Sequence, residues 1–278
     1  CSSVAKARER WLLGNDKDVE NGMGPLGWAA QGNTIPTAYW ALLYILTHDD
    51  ALTAVKQELA ALHDRLAVPS SSGGGAAFEK ARSLKIAKLQ ELEGKTLEDL
   101  PVLQSCITET LRLSAFALTP RFALRNTTLA TSHQPFQVRK GDMVVLAPFV
   151  SHRDPEVFDN PNKFDYKRFL HSPAIPSAGH PASSGEVTLH TEARKRFMKN
   201  GKVVTSPVLP FGGGATMCPG RRFARSEVAM LVVSALSLFE FEVDAPTPAV
   251  FEVDNSRAGI GIALPANRQL AKVTITSK

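Results

Sequence analysis

Apolar residues recur at three- and four-residue intervals from Trp28 to His48 and again from Asp50 to Leu66. That spacing predicts two consecutive helices, with Asp49 or Asp50 as the cap between them. The stretch VPSSSGGGAAF, Val68 to Phe78, has the composition of a flexible loop. Helical spacing resumes over Phe78 to Leu92 and Leu97 to Leu113. Beyond Pro120 the texture changes. RFALRNTTLA and PFQVRKGDMVVLAP carry β-branched residues in short runs around turn residues, which predicts strands. The polar, Ser-, Pro- and His-rich stretch over 171–202 predicts a long surface loop. A last helix is expected from Arg221 to Phe239, with short strands after it. The expected fold class is α+β, mainly α, and no internal repeat is visible.

Composition narrows the class without naming a function. At 278 residues the chain is long enough to bury a sizeable core, and 44% hydrophobic with 21% charged residues is ordinary for a globular chain. The net charge of +5 suits an acidic partner, but it is not clustered as a nucleic-acid surface would be. Cys1, Cys106 and Cys218 are far apart and form no C-x-x-C pair, so neither a zinc ribbon nor a disulfide framework is expected. The longest apolar run, Ala38 to Leu46, is far short of a membrane span. A start at Cys1 rather than Met is read as a fragment of a longer protein, with any anchor upstream.

The chemistry concentrates in PFGGGATMCPGRRFA, Pro210 to Ala224. Its glycines fit neither phosphate-cradle spacing, and no lysine follows where a phosphate would need one. Pro219 suits the first position of a helix, which would put the Cys218 sulfur at a helix N-terminus, where negative charge is favoured. Flanking glycines let backbone N–H groups approach the sulfur and a flat ligand approach the backbone. An axial ligand for iron and a buried cysteine in a Gly-rich turn both satisfy these residues. Two further patterns stand upstream. Glu109 and Arg112 lie three apart on one helix face. Pro36 cannot donate a backbone hydrogen bond, so the helix should open at the Gly32 carbonyl, beside Asn33 and Thr34.

The whole pattern Phe211-x-x-Gly214-x-x-x-Cys218-x-Gly220-x-x-x-Ala224 resembles the haem-binding signature of the cytochrome P-450 family, the haem-thiolate monooxygenases. The resemblance implies heme b as cofactor, Cys218 as axial ligand of its iron, and Phe211, Gly214 and Gly220 as haem-binding residues. Thr216 departs from the Arg or His that often reaches a propionate, and Arg121 is the replacement expected. The resemblance also makes Glu109 and Arg112 members of a buried structural triad with Arg168, in FDYKRF. It places Asn33 and Thr34 at the oxygen site as the catalytic pair, with Asn33 where the family has an acid. An amide orients water but does not relay a proton as a carboxylate does.

The amide followed by Ile-Pro, together with ETLRLS, the run around SHRDPEVF and NSRAGIGIALP, looks most like the cholesterol and oxysterol 7α-hydroxylase branch. That likeness runs from about Trp28 to the C-terminus and implies the C-terminal part of a sterol monooxygenase, with an N-terminal part and membrane anchor absent. The implied partners are a sterol or oxysterol, molecular oxygen and NADPH-cytochrome reductase, docking at Arg221, Arg222 and Arg225, with no nucleic acid. The implied location is the endoplasmic reticulum membrane, catalytic part facing the cytosol. A prostacyclin synthase-like isomerase and a non-catalytic haem-binding fragment are the alternatives. His152, although near the expected haem edge, is read as a satisfied histidine, and the Asn126-Thr127-Thr128 sequon as idle.

Overall fold

The computed structural model describes residues 31–67, 76–131, 134–170, 197–244, 253–254, 259, 261–266 and 272–277. Helix α1 (Thr34–Leu46) follows a one-residue interruption at Asn33, and α2 (Asp49–Arg65) follows almost at once. His48, not an aspartate, is the cap between them; Asp49 and Asp50 occupy the first turn, where the helix dipole favours them. Next come α3 (Ala76–Gln90), the short α4 (Gly94–Glu98) and α5 (Pro101–Ser114). The single helix expected from Leu97 to Leu113 is therefore two. Pro101 lacks an N–H to extend the first and sits at the start of the second, where none is needed.

Strands β1 (Thr119–Phe122) and β4 (Met143–Leu146) pair antiparallel, and the hairpin β2 (Thr127–Ala130)–β3 (Pro135–Val138) is inserted between them. A five-residue helix α6 (Pro148–His152) follows directly, an element the sequence reading lacked. Of the expected 171–202 loop, residues 171–196 lie outside the described residues. Its end folds into a minimal hairpin, β5 (Met198–Lys199) with β6 (Lys202–Val203), and buries Phe197. Helix α7 (Arg221–Leu238) runs into β7 (Phe239–Asp244), which pairs with β10 (Lys272–Ser277); β8 (Val253–Asp254) pairs with β9 (Leu264–Pro265).

The core lies where α1 packs on α5 and α7, with α2 against α1 and α5. Trp40, Ala41 and Ile45 of α1 meet Leu103, Ile107 and Leu111 of α5 and Val228, Val232 and Val233 of α7 in one buried cluster. The four-residue interval present in each set puts those residues on one helical face. Each Leu, Ile and Val among them contributes about 1.5–3 kcal/mol of transfer free energy. Among the described residues no helix is long and apolar enough to cross a membrane.

Candidate functional site: a cysteine loop facing a broken helix

A cavity of about 580 Å³ separates the helix break at Asn33 from the cysteine loop. Its volume falls within the range of small-molecule and cofactor sites. Asn33, Thr34 and Thr37 line one side and Phe211, Gly212, Thr216 and Cys218 another, with Arg121 and Ile262 at its margins. The break has a local cause. Pro36 offers no N–H to the Gly32 carbonyl, and the helix restarts with Thr37 N–H on the Asn33 carbonyl at 3.0 Å and the Thr37 hydroxyl on the same oxygen at 2.7 Å. Thr34 is buried beside it.

The cysteine loop closes on itself. Cys218 N–H donates to the Phe211 carbonyl at 3.0 Å, and Met217 N–H to Gly214 at 3.1 Å. Gly214 sits at φ +68°, a left-handed conformation that suits glycine, and opens the 3₁₀ turn Gly214–Thr216. Gly220 needs no such conformation; a Cβ there would stand 3.9 Å from the Cys218 sulfur. Neither Gly214 nor Gly220 lines the cavity. Helix α7 starts at Arg221, as its apolar spacing predicted, so Pro219 precedes the helix instead of filling its first position. Gly220 is its N-cap, and Arg221 N–H turns back to the Cys218 carbonyl, so the sulfur lies a turn ahead of the helix proper.

Arg121 donates through Nη2 to the Gly213 carbonyl at 2.9 Å, bridging β1 to the cysteine loop at the cavity edge. The three arginines expected to form one basic face do not act together. Arg222 is exposed, but Arg221 Nη1 reaches the Cys218 carbonyl at 3.2 Å. Arg225 turns inward to Gln104 and Thr108 at 3.0 and 2.8 Å. One helical turn separates Arg221 from Arg225, but the polar edge of α5 meets α7 on the Arg225 side and draws that guanidinium in. Burial lowers its pKa, partly offset by the nearby charge of Glu98.

Glu109, Arg112 and Arg168 meet away from the cavity, in the core behind the loop. Glu109 takes Arg112 in a two-point pair at 2.7 and 2.7 Å and Arg168 Nε at 3.0 Å. Both Glu109 and Arg112 are fully buried. Arg112 also donates to the carbonyls of His152 and Pro161 at 2.6 Å each, and Arg168 to that of Asp159 at 2.9 Å. Phe158 lies under both guanidinium groups. The triad is thus a spool around which 152–168 winds. His152 extends it to the cysteine loop, its Nε2 accepting Leu209 N–H at 2.8 Å. Burial first, and the Arg112 charge second, lower its pKa to about 4 and keep the ring neutral. Because Nε2 accepts, the ring proton is on Nδ1, which has no partner among the described residues. His152 is outside the cavity lining and serves the loop's support.

Gly259, Gly261 and Ile262 line the cavity and were not singled out by sequence reading as site residues. The alternation of glycines in RAGIGIALP was the available signal: two bare positions in a run of apolar residues.

The backbone trace over these elements is that of a solved cytochrome P450, with a TM-score of 0.64 at 19% identity, covering 95% of this chain and 46% of that one. The fold is therefore that of the cytochromes P450. The sequence agrees: the Cytochrome P450 family model matches residues 13–271, and the chain belongs to the cytochrome P450 family. Similar relatives include cytochrome P450 7A1 of Rattus norvegicus, 35% identical over 86% of this chain and 41% of its own length. The 7-alpha-hydroxycholest-4-en-3-one 12-alpha-hydroxylase of Homo sapiens is 34% identical over 86% and 42%. Cytochrome P450 7B1 of Mus musculus is 31% identical over 89% and 43%. The chain thus spans about two fifths of the length of the curated relatives it matches.

Family and fold imply haem as cofactor, and the residues present fit it. The donor set is one cysteine sulfur in a cavity whose adjoining backbone is bare at Gly212 and whose lining is mainly apolar. Among the described residues there is no cluster of three or more His, Cys, Asp or Glu that would suit a bare metal ion instead.

Proposed function

We propose that this chain is the haem-binding part of a monooxygenase that hydroxylates a sterol or oxysterol at the 7α position. The observation that carries the reading is the placement of Cys218 across one cavity from Asn33 and Thr34, in a chain whose relatives include cytochromes P450 7A1 and 7B1. Haem, when bound, supplies the oxidising chemistry, and a thiolate ligand donates the electron density that favours O–O cleavage. Cys218 would hold the iron, Phe211 pack against the ring beside the sulfur, and Arg121 face a propionate.

The chain's own residues do the rest. The cysteine loop, closed by the Cys218 to Phe211 hydrogen bond, fixes the sulfur, and Gly214 gives the loop its turn. The Glu109–Arg112–Arg168 spool and His152 hold that loop from behind. Thr34, next to Asn33 in the cavity lining, is a hydroxyl able to pass a proton into the cavity, since the Asn33 amide neither takes up nor releases one near neutral pH. The break at Asn33 widens the helix where oxygen and substrate must both fit. Arg222, exposed beside the loop, is the cation left to meet an acidic face of NADPH-cytochrome reductase. The whole protein would act at the endoplasmic reticulum membrane, held there by an N-terminal anchor and with its catalytic part in the cytosol.

The test is product analysis with the full-length protein, reductase and NADPH, offering cholesterol and 25-hydroxycholesterol. A 7α-hydroxylated product made only with NADPH supports the reading. A 12α product or none at all sinks the positional assignment. Asn33, an amide where an acid is expected, favours a second reading: an isomerase that rearranges a peroxide without reductase. Turnover of a prostaglandin endoperoxide without NADPH would establish that instead.

A further inference from the structure

Residues 259, 261 and 263 are stitched on one side to residues 114–118. Phe116 N–H donates to the Gly261 carbonyl at 2.7 Å, Gly259 N–H to Phe116 at 2.8 Å, Ala263 N–H to Ser114 at 2.9 Å and Leu118 N–H to Gly259 at 3.2 Å. The other side grips the broken helix twice. Trp40 Nε1 donates to the Ala263 carbonyl at 2.7 Å, and Ile262 N–H donates to Asn33 Oδ1 at 3.1 Å. Gly261 makes this approach possible. A Cβ there would stand 2.1 Å from Asn33 Oδ1, and its φ of +124° strains any other residue.

These contacts determine which way the amide faces. A backbone N–H is satisfied only by an acceptor, so the Ile262 contact assigns the oxygen of Asn33 to that side and the nitrogen to the other. Nδ2 makes no hydrogen bond to a described residue, and Asn33 lines the cavity. The backbone that fixes Oδ1 in this way is itself pinned at both edges. A carboxylate at this position would satisfy Ile262 equally and bring no donor.

We propose that Gly261 and Ile262 are positioning residues that hold the Asn33 amide with Nδ2 directed into the cavity, as a hydrogen-bond donor to a hydroxyl or carbonyl oxygen of the ligand bound there. This rests on the reading of the cavity as the haem and substrate site, so the test monitors haem ligation separately. Full-length holoprotein is titrated with cholest-4-en-3-one and with 5α-cholestane, which lacks oxygen, and affinity is read from the haem absorbance shift. The parent should bind the ketone about tenfold more tightly than the hydrocarbon, the weight of one donor to a buried acceptor. Asn33→Asp keeps the acceptor that Ile262 needs but removes the donor, and Asn33→Ala removes both. Each should abolish the preference for the ketone over the hydrocarbon. Gly261→Ala should do the same by displacing the amide, and adding it to Asn33→Ala should take away nothing further from the preference.

A parent that binds both probes equally overturns the proposal, as does Asn33→Asp retaining the preference for the ketone. Loss of the thiolate signature in the reduced carbon monoxide spectrum of the parent is a different failure, that of the haem reading itself.

Discussion

Removing Glu109 should unfold the support of the cysteine loop while leaving every cavity-lining side chain in place. Glu109 is fully buried and is the one carboxylate that Arg112 and Arg168 share, at 2.7, 2.7 and 3.0 Å. Truncating one member of such a cluster leaves uncompensated charge in the core and costs about 3–5 kcal/mol. Backbone carbonyls of His152, Pro161 and Asp159 still accept from the two arginines, which keeps the cost toward the lower end. Against a total stability of about 5–15 kcal/mol, that is a large share. Glu109→Gln, which keeps shape and one acceptor but loses the charge, should cost about 2 kcal/mol. The assay is urea unfolding of the full-length protein, followed by circular dichroism and by the haem Soret band. The Soret transition should shift to lower urea at least as far as the helical one. As a control, Lys88→Ala breaks the exposed Lys88–Glu91 pair at 3.6 Å and should cost under about 1 kcal/mol. If Glu109→Ala proved no more costly than Lys88→Ala, the idea of a buried triad supporting the loop would be wrong.

Acid should weaken the same support through His152. Its pKa is about 4 in the fold against an ordinary 6.5, so unfolding takes up a proton between those values. That stability is complete above pH 6.5 and is lost as pH falls toward 4, by about 3 kcal/mol at 1.36 kcal/mol per pH unit. His152→Gln should flatten unfolding free energy over that window, measured by denaturant titrations at stepped pH. Gly214→Ala forces an L side chain to φ +68° in open space, a pure backbone penalty of about 1 kcal/mol, and should speed haem loss to apomyoglobin. Arg222→Glu should slow reductase association in low salt, whereas Arg225→Gln, altering an inward-facing group, should not; equal effects would contradict the split basic face.

The pattern of apolar spacing was enough to find α1, α2, α5 and α7, because those helices each bury one face in a common core. It missed α6, whose five residues are too few to show a period, and it merged α4 with α5 because periodicity runs on across Pro101. The cysteine loop was legible because its glycines, Phe211 and Cys218 lie within one short stretch. Glu109 and Arg112 were legible as a helical pair. Their meeting with Arg168, 59 residues after Glu109, came from family likeness, since local spacing carries no information about so distant a contact. Gly261 and Ile262 were hidden for the same reason: their partner Asn33 is 229 residues before Ile262. The inward turn of Arg225 depends on Gln104 and Thr108 lying opposite, which the α7 sequence alone does not contain.

The measurement that bears most directly on the central claim is the carbon monoxide difference spectrum of the reduced full-length protein beside its Cys218→Ser variant. A strongly red-shifted Soret band in the parent, absent in the variant, is the predicted result for a haem held by the Cys218 thiolate. A parent band at the position of a histidine-ligated haem, unchanged by the substitution, would contradict the assignment of Cys218 and with it the proposed chemistry of the cavity.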